Sequence, residues 1–277
     1  MGPWDWHPHP AAWLLIFGLG AAYVLGAAPA ASRRRRLAFA AGLLSLAAAV
    51  TWPLGDLAGH WSVLAHMGSH LLLVLVAPPL LLIGLPEPVV VRLTAPPAID
   101  RALVNLTHPL MATLLFNAAI VGAHLPAVMN ASIEQPVVHT AVHAGLFTAA
   151  LIMWLTALRL LPGARRLGYG GRIGFLALQS LVPNIPAAVL LFSGAPLYTA
   201  YGERPRQLGM SPLLDQQLGG ALVKLVAVTI LAGAAAVLFF RWNSAERLGQ
   251  GGRDTEPLTW ADVERELTRS SARPPAR

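Results

Sequence analysis

The strongest constraint on this chain is a set of seven apolar stretches, at about 11–31, 37–54, 61–85, 109–126, 136–161, 173–192 and 214–240. Each is long enough, or nearly so, to cross the roughly 30 Å of bilayer hydrocarbon, which takes about 20 residues of helix. Inside lipid every backbone N–H and C=O must find its partner within the protein, and a continuous apolar run does this as a helix. Of the 277 residues, 55% are hydrophobic and only 12% charged, too few polar groups to cover a water-soluble core. The expected fold class is therefore all-α, a polytopic membrane bundle of seven transmembrane helices over residues 1–242. Residues 243–277, rich in Arg, Glu, Gly and Pro, read as a cytoplasmic tail with one short helical pattern at 257–267.

The basic residues set the orientation, because lysine and arginine are retained on the cytoplasmic side. If the N-terminus faces outward, the inner segments hold Arg33 to Arg36, Arg92, Arg101, Arg159, Arg165, Arg166, Arg172 and the seven arginines from Arg241 onward. That is 17 of the 20 basic residues, with Arg204 and Arg206 outside and Lys224 within a span. The topology predicted is N-out and C-in. The net charge of +7 has the same explanation: the basic residues are dispersed between apolar runs with no aromatic-interleaved basic face, so no nucleic-acid partner is expected. The opening MGPWDWHPHP lacks the positive start of a secretory signal, and the first run is read as a retained helix.

With no cysteine in the chain, thiolate metal sites and disulfides are excluded, leaving histidine, methionine, carboxylate and backbone as ligands. The third run opens HMGSHLLLVLVAPPLLLIGLP, with His66 and His70 four apart and so on one helical face. The fifth repeats the pattern at His139 and His143 in PVVHTAVHAGLF. The topology brings these four, His60 and His124 to the outer third of the membrane, with His7 and His9 in the outer N-terminal segment and only His108 on the inner side. A buried imidazole without a partner costs about 1 to 3 kcal/mol, a load that a shared metal offsets. Imidazoles without thiolate suit copper, zinc, iron or nickel. His66, His70, His139, His143, His124 and His60 are the candidate ligands.

Four further residues, Met67, Asp215, Gln216 and Lys224, are candidates for orienting a ligand or lining a transfer path. Met67 offers a thioether to Cu(I), although methionine is more often packing. Asp215, with Gln216 and Gln217 in LLDQQLGG, stands where a carboxylate could orient an imidazole or cap a helix. Asp56 has the same two readings, with the cap or loop reading leading. Lys224 falls about 13 Å into the seventh run by helical rise, where a charge costs about 2.5 to 3.5 kcal/mol on insertion scales; it is either a site residue or a snorkelling cation. A lysine in the last of seven helices also evokes a retinal Schiff base, but the third run has no carboxylate to serve as counter-ion. The prolines Pro78, Pro79, Pro183 and Pro186 imply kinks packed against neighbouring helices.

Three segments together, HMGSHLLLVLVAPPLLLIGLP, AHLPAVMNASIEQPVVHTAVHAGLF and LYTAYGERPRQLGMSPLLDQQLGG, resemble the bacterial CtaG-type cytochrome c oxidase assembly factors in content, order and spacing. The resemblance runs from the third to the seventh run. It implies an integral protein of the bacterial cell membrane that helps to make a haem-copper oxidase through copper insertion. The implied partners are a membrane-embedded oxidase subunit, an extracytoplasmic copper donor and the lipid bilayer. Independently, a water-accessible histidine site near the outer face is well placed to receive copper and pass it sideways. Alternatives are a metal-free assembly scaffold, a haem protein with paired axial histidines, and a copper transporter. No acid–base pair, nucleophile motif or phosphate-cradling loop is present, so enzymatic turnover is not expected.

Overall fold

The computed structural model describes residues 2–161 and 167–251. The expected inner arginines Arg165 and Arg166, and the tail helix at 257–267, lie outside the described residues. Within them the chain is helical with no strand. The α-helices are α1 Pro10–Gly26, α2 Arg33–Val50, α3 Leu54–His60, α4 Val63–Leu71, α5 Ala77–Gly84, α6 Glu87–Thr94, α7 Pro97–Leu106, α8 Pro109–His124, α9 Pro126–Glu134, α10 Pro136–Leu158, α11 Tyr169–Leu181, α12 Asn184–Phe192 and α13 Pro212–Gly251. A π-helical turn, Leu72–Val76, joins α4 to α5. One compact unit covers Met1–Ala235; a second begins at Ala236, within α13. Every histidine of the chain belongs to the first unit.

Proline and serine set the helix starts. Pro10, Pro97, Pro109, Pro126, Pro136 and Pro212 each stand first in a helix, where the missing N–H would have had no partner and φ is already helical. Ser32 accepts a hydrogen bond from Arg35 N to cap α2, and Ser62 accepts one from Ala65 N to cap α4.

Every one of the seven apolar runs contains a helix. By length and composition, five helical stretches can cross a membrane alone: Arg33–His60, Val63–Gly84, Pro136–Leu158, Tyr169–Phe192 and Pro212–Arg247. A sixth follows if α7 and α8, bent by 75°, count together, while α1 has only 17 residues. The outer surfaces of these helices carry bare apolar side chains such as Leu14, Leu25, Leu181 and Phe192, as expected where lipid is the solvent.

Val63–Gly84 is the most enclosed of the spanning stretches, with 67% of its apolar window buried. On one side α2 packs along α5 so closely that a Cβ on Gly84 would stand 2.8 Å from Phe39 N, so only glycine fits. There Tyr23 stacks on Phe39 at 3.8 Å between ring centres and donates its hydroxyl to Gly84 O, 3.1 Å away. On another side lies α10, whose Trp154 donates its indole N–H to Val74 O at 3.0 Å. Pro78 has no N–H to offer the carbonyl four residues back, which is that of Val74. The indole takes the missing donor's place.

Candidate metal centre

Three helices meet at the end of the bundle where α4 begins, α8 ends and α10 begins. They bring five imidazoles together: His66 and His70 from α4, His124 from the last position of α8, and His139 and His143 from the first two turns of α10. Ring centres lie 4.3 Å apart for His66–His70, 5.6 Å for His66–His143, 5.0 Å for His70–His143, 6.1 Å for His66–His139, 5.5 Å for His70–His124 and 4.0 Å for His139–His143. His66, His70 and His143 are buried, while His124 and His139 are partly exposed at the rim. One ring nitrogen from each of the buried three lies within 4.8 Å of the other two. Metal–imidazole bonds of about 2.0 Å place neighbouring donors about 3.3 Å apart around a tetrahedral ion, so small ring movements would close the trio on one centre.

The hydrogen bonds decide which nitrogen of each ring faces the cluster. His66 Nδ1 lies 3.0 Å from Ala58 O, His124 Nδ1 2.7 Å from Ile120 O, and His143 Nδ1 3.0 Å from His139 O. A carbonyl can only accept, so each of these Nδ1 atoms carries the proton and leaves Nε2 with a free lone pair, the tautomer that ligates a metal. His139 Nδ1 lies 3.5 Å from Ser132 Oγ. Inside the cluster His66 Nε2, and both ring nitrogens of His70, are buried without a hydrogen-bond partner. Buried polar atoms are nearly always paired, and a neutral imidazole offers one lone pair, so His66 Nε2 and one nitrogen of His70, with His143 beside them, form a candidate donor set for a metal ion.

The loop between α12 and α13 is strapped across these helix ends. Tyr201 donates its hydroxyl to Ala58 O at 2.5 Å, with its oxygen 2.9 Å from His66 Nδ1. Burial, and after it the nearby Asp215 carboxylate, push this phenol well above its ordinary pKa, so Tyr201 stays a neutral donor. Tyr198 donates to His124 O at 3.0 Å, Ala200 N to Asn130 Oδ1 at 3.0 Å, and Arg204 to His60 O at 2.7 Å. Sequence reasoning missed Tyr201, Tyr198 and Ala58. The clue was the tyrosine pair in LYTAYGERP, Tyr198 and Tyr201, three residues apart.

The remaining sequence candidates fall into different roles. Asp215 is buried and accepts from Ser62 Oγ at 2.5 Å, Val63 N at 2.6 Å and Leu64 N at 3.2 Å. It caps α4, the helix that carries His66 and His70, across from its own position in α13. Gln216 accepts from Leu197 N at 2.6 Å and reaches Leu190 O and Ala195 O, fixing the strap to α13. Met67 turns away from the imidazoles into an apolar cluster with Val63, Met129, Ile133, Leu190, Tyr198 and Tyr201, and its sulfur serves packing. His60 does not join the five: it ends α3, the chain turns at Trp61 and Ser62 before α4 starts, and its ring stands exposed. Lys224 is exposed, with Nζ 5.9 Å from the centre of the Phe192 ring, a snorkelling arrangement along apolar surface.

Below the cluster, His70 and His124 border an apolar cavity with Phe116, Gln179, Leu190 and Val223. Gln179 ties its neighbours together there, accepting from Asn117 Nδ2 at 3.1 Å and donating to Thr113 Oγ1 at 2.9 Å.

Apolar spanning helices around a buried, partner-poor imidazole cluster define a polytopic helical membrane protein with a candidate transition-metal site. The profile of the cytochrome c oxidase caa3 assembly factors (Caa3_CtaG) matches residues 16–245, and the chain belongs to that family. No curated protein and no solved structure matches it.

Proposed function

We propose that this protein serves cytochrome c oxidase assembly by holding copper on His66, His70 and His143 and passing it to a membrane-embedded subunit of a haem-copper oxidase. The observation that carries this reading is the set of orphaned ring nitrogens on His66 and His70, beside imidazoles whose other nitrogen is already tied to a carbonyl. His139 and His124 flank the trio at its rim, where an incoming or departing ion meets them. Three buried donors with two more at the edge make an exchangeable site, unlike the closed four-ligand cage of a structural metal. Ring centres only 4.0 to 6.1 Å apart leave no slot for a macrocycle between them, which favours a single ion over haem. The seven-span, N-out topology sets the cluster near the outer face of the bacterial cell membrane, within reach of an extracytoplasmic copper donor, with residues 243–277 inside.

The test is elemental analysis and an optical spectrum of the detergent-purified protein, wild type against His66→Ala/His70→Ala. Stoichiometric copper in the wild type, lost in the double variant, is the expected result. A Soret band, or no metal in any preparation, overturns it. Oxidase that matures normally in cells carrying the double variant favours a metal-free scaffold.

A further inference from the structure

We propose that α7 is an interfacial helix, lying in the membrane plane with its apolar face among lipid chains in the leaflet remote from the imidazoles, and that this seat fixes how deep the imidazoles sit. The proposal rests on α8 crossing the bilayer, not on the copper reading or on which leaflet faces outward. α7 adjoins the start of α8, and His124 is the last residue of α8. None of the ten residues of α7 is buried by protein. Its sequence is nevertheless two-sided. Ile99, Ala102, Leu103 and Leu106 recur at helical spacing along one face, while Asp100, Arg101 and Asn105 take the other. Ile99 is 45% exposed, Ala102 is exposed, and Leu103 and Leu106 are only partly covered.

Two observations say what covers this face. The first is direction: α7 meets α8 at a bend of 75°, and α8 packs against the spanning helix α10. A helix set so steeply to a span runs nearly along the membrane plane. Were it to carry the crossing further instead, Asp100 and Arg101 would enter the hydrocarbon, where charge is costly. Just beyond the bend Leu110 and Leu114, 63% and 56% exposed, give α8 a bare apolar surface at the same end of the bundle. The second observation is charge. Arg35 donates to Leu85 O, just before α6, which brings the start of α2 to the end of the bundle where α6 and α7 lie. The start of α2 and the two short helices hold Arg33 to Arg36, Arg92 and Arg101 against two acids, Glu87 and Asp100. Cations at that level suit lipid phosphates. A two-sided helix with a cation on its polar face is the form that beds into the boundary between headgroups and chains.

The seat of α7 sets the height of the imidazole cluster. α8 has 16 residues, about 24 Å at 1.5 Å per residue, whereas the hydrocarbon layer is about 30 Å thick. With α7 bedded at one edge of that layer, His124 stops short of the other edge, and any tilt of α8 draws it deeper. Leu125, the next residue, is apolar and 50% exposed, as suits a side chain among lipid tails. The cluster then lies beneath the opposite headgroups rather than in open water, so an ion held there has its shortest exit sideways, into a partner within the membrane.

The chain has no cysteine, so single introduced cysteines carry nitroxide labels without background. The experiment is power-saturation electron paramagnetic resonance on the full-length protein in phospholipid nanodiscs, with oxygen as the lipid-soluble relaxant and a nickel chelate as the aqueous one. Labels at Ile99→Cys and Ala102→Cys are expected to favour oxygen several-fold more than labels at Asp100→Cys and Asn105→Cys, in step with the helical repeat. A nickel chelate that reaches all four alike puts α7 in water and overturns the proposal. Oxygen favoured at all four makes α7 part of the crossing, and both relaxants shut out of Ile99→Cys and Ala102→Cys means that protein covers the face; either result overturns it too. A label at Leu125→Cys should favour oxygen. One that meets the nickel chelate as freely as Asp100→Cys overturns the depth of the cluster and leaves the seat of α7 standing. These readings need no metal in the sample, so they stand or fall apart from the copper reading.

Discussion

In Val63–Gly84 the break at Pro78 and Pro79 follows the π-helical turn Leu72–Val76, and the Val74 carbonyl is taken by the indole of Trp154, reaching over from α10. In Tyr169–Phe192 the break at Pro183 and Pro186 is mended from within the same span, where Asn184 Nδ2 donates to Ser180 O at 2.6 Å. Both spans carry prolines at mid-length, yet the first buries 67% of its apolar window and the second 28%. The difference shows what each is for. A span whose break is closed by a neighbour is locked to it, and that is the span bearing His66 and His70. A span that mends itself can lie at the edge against lipid.

Substitutions test this contrast, read as shifts in the unfolding midpoint of the detergent-solubilised protein. Trp154→Ala removes a buried ring together with the donor to Val74, and should cost about 3 to 5 kcal/mol. Asp215→Ala leaves Ser62 Oγ and two N–H groups of α4 without their charged acceptor and should cost about 2 kcal/mol, with weaker metal binding because the α4 start is released. Trp154→Phe keeps the ring and loses only the hydrogen bond, for about 1 kcal/mol. Asn184→Ala should cost about 0.6 kcal/mol, the average for a polar pair inside a membrane bundle. If Asn184→Ala proves as damaging as Trp154→Ala, the two breaks are equivalent and the contrast fails.

Hydrophobic length made most of the fold legible, since each of the seven apolar runs contains a helix. The short helices α3, α6, α7 and α9 were not visible, because segments of seven to ten residues are too short to cross a membrane and, lying outside the apolar runs, were passed over as connections between them. At the candidate site, spacing of four residues was enough to pair His66 with His70 and His139 with His143. His60 was grouped with them by nearness in sequence, which a turn at Trp61 and Ser62 undoes. The cap on α4 was out of reach for a different reason: Asp215 lies 152 residues from Val63, and a carboxylate that serves a distant helix reads in sequence like one that serves its own. Tyr201, 135 residues from His66, was hidden in the same way.

The wide turn Leu72–Val76 also fixes angular phase. A π-helical turn takes up one residue more than its α-helical equivalent over about the same rotation, so it absorbs that residue while keeping the imidazoles above it in phase with the face that Gly84 presents to α2 below. Deleting a single residue within Leu72–Val76 would return the turn to α-helical geometry with His66 and His70 on nearly the same bearing, whereas the same deletion in an unbroken α-helix would swing them by about 100°. Five leucines and valines thus act as the joint that keeps the histidines aimed.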